Sequence, residues 1–179
     1  MTPTAFIVLG LLERLGSASP YELKQQATAT LGNFWSTPHS QIYRTTEALA
    51  AAGLLAVRAE TTPGGRGRTV YSLTRKGRRA LATERRHTAA DLPELRDPAL
   101  LRLYFGADPA PLAVEQLAAH RRQLAAYEAR RAQDDGTEPR GPWLTLRAGI
   151  AHEREWIKFW RDLTGAADGH TNRMAGSDG

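Results

Sequence analysis

The sequence predicts a mainly α-helical protein with one small β-hairpin, divided into a basic first part and a helical second part. Apolar residues recur at spacings of three and four along most of the chain, which is typical of amphipathic helices. Between residues 54 and 73, two short segments rich in β-forming residues flank a Gly-rich loop, which indicates a hairpin. Charge divides the chain as well: residues 1–87 hold 12 Lys/Arg and 5 Asp/Glu, a net of +7, whereas residues 88–179 hold 12 and 14, a net of −2.

A basic first half predicts a module that binds a polyanion, joined to a part with another role. An arginine-rich composition in general would give the same charge, so the motifs must decide. The 179 residues include no cysteine, which excludes disulfides, thiol catalysis and Cys-based zinc sites. The chain lacks the run of ~20 apolar residues that spans a bilayer, and no basic residue precedes its first apolar run. We therefore expect a cytoplasmic protein with no membrane segment and no secretory signal.

Two helices are predicted at the start of the chain. The first covers Thr4 to Leu15 and ends at Gly16, which suits a left-handed stop. The second opens at Ser19-Pro20-Tyr21-Glu22, where Ser19 and Glu22 form a capping box and the proline takes the first helical position. Phe34 and Trp35 follow this helix, and we expect the pair to fill the core beneath the next helix.

The third helix is predicted to begin after a Ser36 or Thr37 cap, with Pro38 in its first turn, and to end at Gly53. Its inward stripe is Ile42, Thr45 or Thr46, and Leu49. The other face carries hydrogen-bonding side chains near the N-terminal end, where a helix that reads DNA normally supplies its base contacts. These residues are Ser40, Gln41, Arg44 and Ala48.

A hairpin follows, with strands over Leu54–Glu60 and Thr69–Leu73. Its loop, Pro63-Gly64-Gly65-Arg66-Gly67-Arg68, places two arginines on unobstructed backbone. Such a loop fits the wing of a winged helix touching phosphate or the minor groove; a solvated hairpin tip is the alternative. Thr74 caps a fourth helix with six Lys/Arg, most of which we expect to face water.

A hinge is predicted over Thr88 to Ala99, which contains Pro93 and Pro98. The domains are then residues 1–90 and 91–164, with a disordered tail over 165–179. Two long helices in the second domain carry apolar seams at coiled-coil-like spacing. The seams can face each other within one chain or a second copy of the chain, and we expect both. Their residues are Ala113, Leu117, His120, Leu124 and Tyr127 on one helix, and Trp143, Leu146, Ile150, Glu153, Ile157 and Trp160 on the other.

Five segments of the first half occur in the order IVLGLL, SPYELK, FW, HSQIYRTTEALAAAGLL and GGRGRTVYSLTRKGRRAL. In order and spacing they resemble the PadR family of bacterial transcriptional regulators. In the second half, DPALLRLYFG and LRAGIAHEREWIKFW resemble the helical C-terminal domain of the longer members. The resemblance implies a winged helix-turn-helix domain, a C-terminal antiparallel helical domain for homodimer formation, and a repressor of its own or a neighbouring operon. In this family a small molecule often releases the repressor.

Carried over to this sequence, the DNA contacts on the third helix are Ser40, Gln41, Tyr43 and Arg44. Those on the wing are Arg66, Arg68 and Thr69, and the second helix contributes Lys24. Many members have proline where Arg44 stands, and Thr46 replaces the usual leucine, which is expected to loosen packing between the second and third helices. The footprint of one winged helix is small, so we expect a dimer on a pseudo-palindromic operator. An effector pocket, if present, would draw on the aromatic residues Phe34, Trp35, Tyr104, Trp143 and Trp156.

Two other classes of protein fit the sequence less well. An enzyme is not expected, because the five histidines are scattered and Gly64-Gly65-Arg66-Gly67 lacks the Gly-Lys-Ser/Thr of a phosphate-binding loop. His152-Glu153 begins like a zinc helix motif, but Trp156 stands where the second histidine belongs, so neither a metal nor another cofactor is expected. The stronger rival is a winged-helix module that binds another protein and no DNA. Arginines at positions 44, 66 and 68 favour DNA.

Overall fold

The computed structural model describes residues 1–61, 67–88, 94–137 and 139–165. The chain divides into two compact units, Met1–Leu92 and Pro93–Gly179. In the described residues the protein is mainly helical, with one small three-stranded antiparallel sheet. This confirms the predicted fold class. Residues 89–93 of the predicted hinge, the wing tip with Arg66, and all but the first residue of the predicted C-terminal tail lie outside the described residues.

The first unit contains α1 (Pro3–Leu15), β1 (Ser17–Ala18), α2 (Pro20–Leu31), α3 (His39–Ala51), β2 (Leu55–Thr61), β3 (Gly67–Leu73) and α4 (Arg75–Glu84). The capping predictions for α2 and α4 are confirmed: Ser19 and Glu22 form the capping box, and the Thr74 side chain accepts from the amide of Gly77. Helix α1 packs on the other three helices and on β3. Its Val8, Leu9 and Leu12 are almost fully buried and form the centre of the core.

The sheet has the order β1-β3-β2. Strands β2 and β3 form the predicted hairpin, with Leu55 opposite Leu73 and Thr61 opposite Gly67. The two-residue strand β1 was not predicted, because two residues are too few to show a periodic pattern. It forms where Gly16, at φ +76°, turns the chain out of α1 and lays Ser17 and Ala18 against Ser72 and Tyr71.

Two predictions around the turn between α2 and α3 are wrong. Phe34 and Trp35 are 60% and 44% exposed rather than core residues, because their amides both bond to the carbonyl of Leu31 and so close a tight turn at the surface. Pro38 takes the N-cap position of α3 and makes no side-chain cap hydrogen bond. Ser36 and Thr37 therefore do not cap the helix, and Pro38 precedes its first turn.

The second unit contains α5 (Pro98–Tyr104), α6 (Pro109–Ala132) and α7 (Arg140–Gly165). Asp97 and Asp108 cap α5 and α6. Helices α6 and α7 pack along each other and bury much of both seams within one chain, including Ala113, Leu117 and Trp160. Across the same seam, the Nδ1 atom of His120 lies 2.6 Å from a carboxylate oxygen of the buried Glu153.

Candidate nucleic-acid interface

Helix α3 separates a buried stripe from an exposed face. Ile42, Thr46 and Leu49 point into the core of the first unit, whereas the side chains of the predicted reading face are exposed. These are Ser40, Gln41, Tyr43 and Arg44. The fully buried Thr46 hydroxyl donates to the carbonyl of Ile42 at 2.8 Å. The replacement of leucine by threonine therefore leaves no unpaired polar group behind α3.

Arg44 is the cation on this face. Its Nε donates to the carbonyl of Ser40, one turn earlier, at 3.4 Å, a distance at which a hydrogen bond is weak. Among the described residues no carboxylate lies within ion-pair distance of Arg44. The guanidinium is therefore available for two parallel hydrogen bonds to another molecule.

A groove of about 620 Å³ runs between the start of α2, the middle of α3 and strand β3. It brings three of the predicted residues together: Tyr43, Arg68 and Thr69. Ser40, Gln41, Arg44 and Lys24 do not line it. On the α2 wall, the Gln25 amide donates to the phenolic oxygen of Tyr21 at 3.0 Å, and the Lys24 ammonium lies 5.7 Å from the centre of the Tyr21 ring.

The sequence reasoning did not assign Gln25 or Glu47 to this surface, although both line the groove. The Tyr21–Gln25 contact could have been found, because residues four apart on a helix are neighbours. Glu47 lies four residues after Tyr43, so the same rule places the two on one face of α3.

Arg68 is the wing residue whose charge is already paired. It stands opposite Glu60 in the β2–β3 register, and its Nη2 lies 2.9 Å from the Glu60 carboxylate. Its Nη1 lies 2.7 Å from Glu22 of α2. Its hydrogen bonds to Glu60, and then those to Glu22, raise the pKa of Arg68. The other predicted wing arginine, Arg66, lies outside the described residues.

The pKa values of Glu22 and Glu60 are lowered. The backbone amide of Ser19, followed by the Ser19 hydroxyl and Arg68, holds the pKa of Glu22 below its ordinary value of 4.5. The hydrogen bond from Arg68 lowers the pKa of Glu60 most, and the charges of Arg58 and Arg68 add to this. All three groups are therefore ionised at neutral pH.

The aromatic residues predicted for an effector pocket belong to both units. Phe34 and Trp35 belong to the first unit. In the second unit Tyr104 is 83% exposed, and Trp143 lies under the guanidinium of Arg147, 4.7 Å from ring centre to Cζ. Trp156 stacks between His120 and Trp160, at 5.9 and 6.3 Å between ring centres. Because Trp143 and Trp156 are separated by about 20 Å along α7, they do not line one small cavity.

The described residues contain neither a candidate membrane span nor a candidate metal site. None of the helices there is long and apolar enough to cross a membrane. That part of the chain also contains no group of three or more histidine, aspartate or glutamate side chains placed to hold a metal ion.

Comparison with known proteins assigns both units. The transcriptional regulator PadR-like family matches residues 8–83, which span α1 to α4. The family described as virulence activator alpha C-term matches residues 95–165, which span α5 to α7. Residues 8–83 of the chain belong to the PadR-like family of transcriptional regulators.

Individual PadR relatives match along almost the whole chain. The negative transcriptional regulator PadR of Bacillus subtilis strain 168 is 26% identical over 178 residues, covering 91% of this chain and 96% of the relative. The crystal structure of Bacillus subtilis PadR with operator DNA superposes with a TM-score of 0.81 at 23% identity, covering 90% of this chain and 96% of that one. The crystal structure of Bacillus subtilis PadR with p-coumaric acid superposes with a TM-score of 0.74 at 24% identity, covering 91% of this chain and 97% of that one. At these identities the structures establish a shared fold.

Proposed function

We propose that this PadR-like regulator is a homodimeric, sequence-specific DNA-binding repressor of its own or a neighbouring operon, which a small-molecule effector releases. The observation that carries the proposal is the exposed face of α3. Ser40, Gln41, Tyr43 and Arg44 share that face, and the opposite stripe of the same helix is anchored in the core. The likeness to a negative regulator crystallised on operator DNA supports the same assignment.

Base reading on this face follows from the chemistry of the side chains. Arg44 can bind O6 and N7 of a guanine in the major groove, and Gln41 can bind N6 and N7 of an adenine. Ser40 and Tyr43 offer hydroxyl groups to bases or to the backbone, and Lys24 and Thr69 offer phosphate contacts beside them. The amides of His39 and Ser40, which precede the first backbone hydrogen bond of α3, add donors suited to a phosphate.

The test begins by selecting a preferred duplex for the wild-type protein from a random DNA library. Arg44→Ala should then weaken binding to that duplex by ~1–3 kcal/mol and relax the preference at one base pair. Arg75→Ala is the matched control. Arg75 is an exposed arginine at the start of α4, so it removes the same charge away from the α3 face.

Fluorescence anisotropy with the selected duplex and a shuffled duplex distinguishes the outcomes. Equal losses on both duplexes would make Arg44 a phosphate contact rather than a base contact. Loss of the preference in both variants would remove the reading role from α3. A wild-type protein that selects no duplex would favour the rival function, a winged-helix module that binds another protein.

The proposed dimer uses the second unit. The residues of the α6–α7 seams that are buried within one chain are not free for a partner, so the proposed surface moves to the large apolar side chains that remain exposed. These are Leu95, Leu101, Tyr104, Phe105, Val114, Leu144 and Phe159. Two such chains would place two α3 helices on one duplex, about one DNA turn apart.

Light scattering on two double variants tests this surface. Tyr104→Asp with Phe105→Asp should give a monomer, because two exposed aromatic residues become charged in the proposed interface. Phe34→Asp with Trp35→Asp makes the same chemical change at an exposed pair of the first unit and should leave the dimer intact. A dimer that survives the first change, or a wild-type monomer, contradicts the proposed assembly.

The effector proposal rests on the family and on the p-coumaric acid complex of the Bacillus subtilis protein. Adding p-coumaric acid to the protein–DNA complex is therefore the direct probe. Release of the duplex supports a phenolic acid effector for this chain, and an unchanged affinity contradicts that chemical class.

A further inference from the structure

Three charged residues connect the wing to the helix-turn-helix. Arg68 and Glu60 form a cross-strand pair at the tip side of the hairpin. The same guanidinium reaches Glu22 on α2, 46 positions earlier in the sequence, through Nη1. One arginine therefore joins β2, β3 and α2. We call these residues the Glu22–Arg68–Glu60 bridge.

Glu22 is itself held in place from the other side. Its second carboxylate oxygen accepts from the amide of Ser19 at 2.7 Å and from the hydroxyl of Ser19 at 2.8 Å. These bonds belong to the capping box that starts α2. The capping box at the start of α2 therefore fixes the carboxylate oxygen that faces Arg68. Because Arg68 lies on β3, its bond to that oxygen holds the wing against α2.

The charges within the bridge argue against a free phosphate ligand. A second guanidinium, that of Arg58, pairs with the other oxygen of Glu60, so the charges at this point cancel, and three N–H groups of Arg68 already donate to the two carboxylates of the bridge. A phosphate at this point would have to displace a carboxylate that Ser19 holds. Arg68 should therefore neutralise no DNA phosphate and contribute little to the salt dependence of binding.

We propose that Glu22, acting through Arg68 and together with Glu60, is a positioning residue that fixes the wing relative to the reading helices, and that this bridge persists on DNA. The inference rests on the proposed function and adds a role to it: Arg68 sets where the wing lies, and other groups meet the phosphates. The bridge requires a planar guanidinium that bonds two carboxylates at once.

The variants that test this keep either the charge or the cap. Arg68→Lys preserves the positive charge but cannot bind both carboxylates with the same geometry. Glu22→Gln removes the charge that faces Arg68 but can still form a capping box with Ser19. Glu13→Gln is the matched control, because it removes the partner of Arg85 in another exposed ion pair of the first unit.

Binding is measured on the selected and shuffled duplexes at several salt concentrations. Arg68→Lys and Glu22→Gln should each lower the ratio of the two affinities about fivefold, near the upper limit for a partly exposed ion pair, and should leave the salt dependence unchanged. The double variant should be no worse than either single variant, since both break one connection. Glu13→Gln should match the wild type.

The inference would be overturned if Arg68→Lys kept the wild-type ratio of affinities for the two duplexes, or if Glu22→Gln bound the selected duplex more tightly. It would also be overturned if Arg68→Ala gave a log–log salt slope shallower by ~0.9, because that is the effect of a lost phosphate contact. Hydrogen exchange of the free protein separates this failure from failure of the proposed function. Glu22→Gln and Arg68→Lys should speed exchange of the β3 amides near Gly67–Thr69 relative to Glu13→Gln. Unchanged exchange refutes the bridge, whether or not the protein selects a duplex.

Discussion

Gly77→Ala should destabilise the first unit, although alanine is normally the better helix residue. Gly77 lies in the first turn of α4, where the helix crosses the junction between α3 and β2. A Cβ atom added there would lie 2.2 Å from the carbonyl oxygen of Leu54 and 3.2 Å from its carbonyl carbon. Carbon–oxygen contacts normally lie beyond ~3.3 Å. The obstructing atoms are backbone, so a side-chain rotation cannot relieve the clash, and α4 has to move by about 1 Å.

That movement acts on a shared hydrogen-bond site. The Leu54 carbonyl accepts from the Thr74 amide at 3.1 Å and from the Thr74 hydroxyl at 2.9 Å. The same hydroxyl caps α4 by accepting from the Gly77 amide at 3.0 Å. Overpacking of this kind costs ~1–3 kcal/mol, and each weakened hydrogen bond adds ~0.5–1.5 kcal/mol. The intrinsic preference of a helix for alanine returns ~1 kcal/mol, so with one hydrogen bond weakened the net loss is about 0.5–3.5 kcal/mol.

The control is Gly10→Ala in α1, where an added Cβ meets no atom within 4 Å. This change should stabilise by up to ~1 kcal/mol, because only the helix preference remains. Urea denaturation followed by circular dichroism measures both free energies of unfolding. Equal stabilisation by the two substitutions would refute the close approach of α4 to Leu54.

Two further outcomes are expected. The pKa of Glu22 is lowered, so the contribution of its carboxylate to stability is present above pH 4.5 and is lost as the pH falls through the folded-state pKa. The free energies of unfolding of the wild type and of Glu22→Gln, measured between about pH 6 and pH 3, should therefore converge at low pH. A constant difference between the two would contradict this. Trp160 is fully buried and its indole N–H has no partner among the described residues. Trp160→Phe should therefore lower the free energy of unfolding in urea by less than about 1 kcal/mol, because removal of an unpaired donor offsets the lost volume. A loss of several kcal/mol would indicate that the N–H is hydrogen-bonded.

The order of the helices and the hairpin was predictable because the signals are local. Ser19, Pro20 and Glu22 lie within four positions of one another, and their side chains and amides form the cap in the structure. The reading face of α3 likewise follows from a period of 3.6 residues once Ile42 and Leu49 are placed inside. The resemblance to the PadR family added the order of the motifs, and the comparisons confirm the family.

The features that sequence reasoning missed depend on contacts between distant positions. Nothing near Arg68 in the sequence indicates Glu22, because the two are 46 residues apart. Hydrophobicity placed Phe34 and Trp35 in the core, but α1 already fills the space beneath α3 with Val8, Leu9 and Leu12. Whether the α6 and α7 seams face each other or a second chain could not be decided from spacing, since both arrangements need the same period.

The α6–α7 hairpin has a genetic consequence. Trp160, Ala113 and Leu117 form a core within a single chain, so the second unit does not need a partner to bury its seams. If the chain pairs as proposed, subunits can separate and recombine without unfolding. A variant whose α3 cannot read DNA would then still exchange into wild-type dimers and leave them with one functional half. Such alleles should be dominant negative when co-expressed, whereas alleles that disrupt the hairpin core should be recessive.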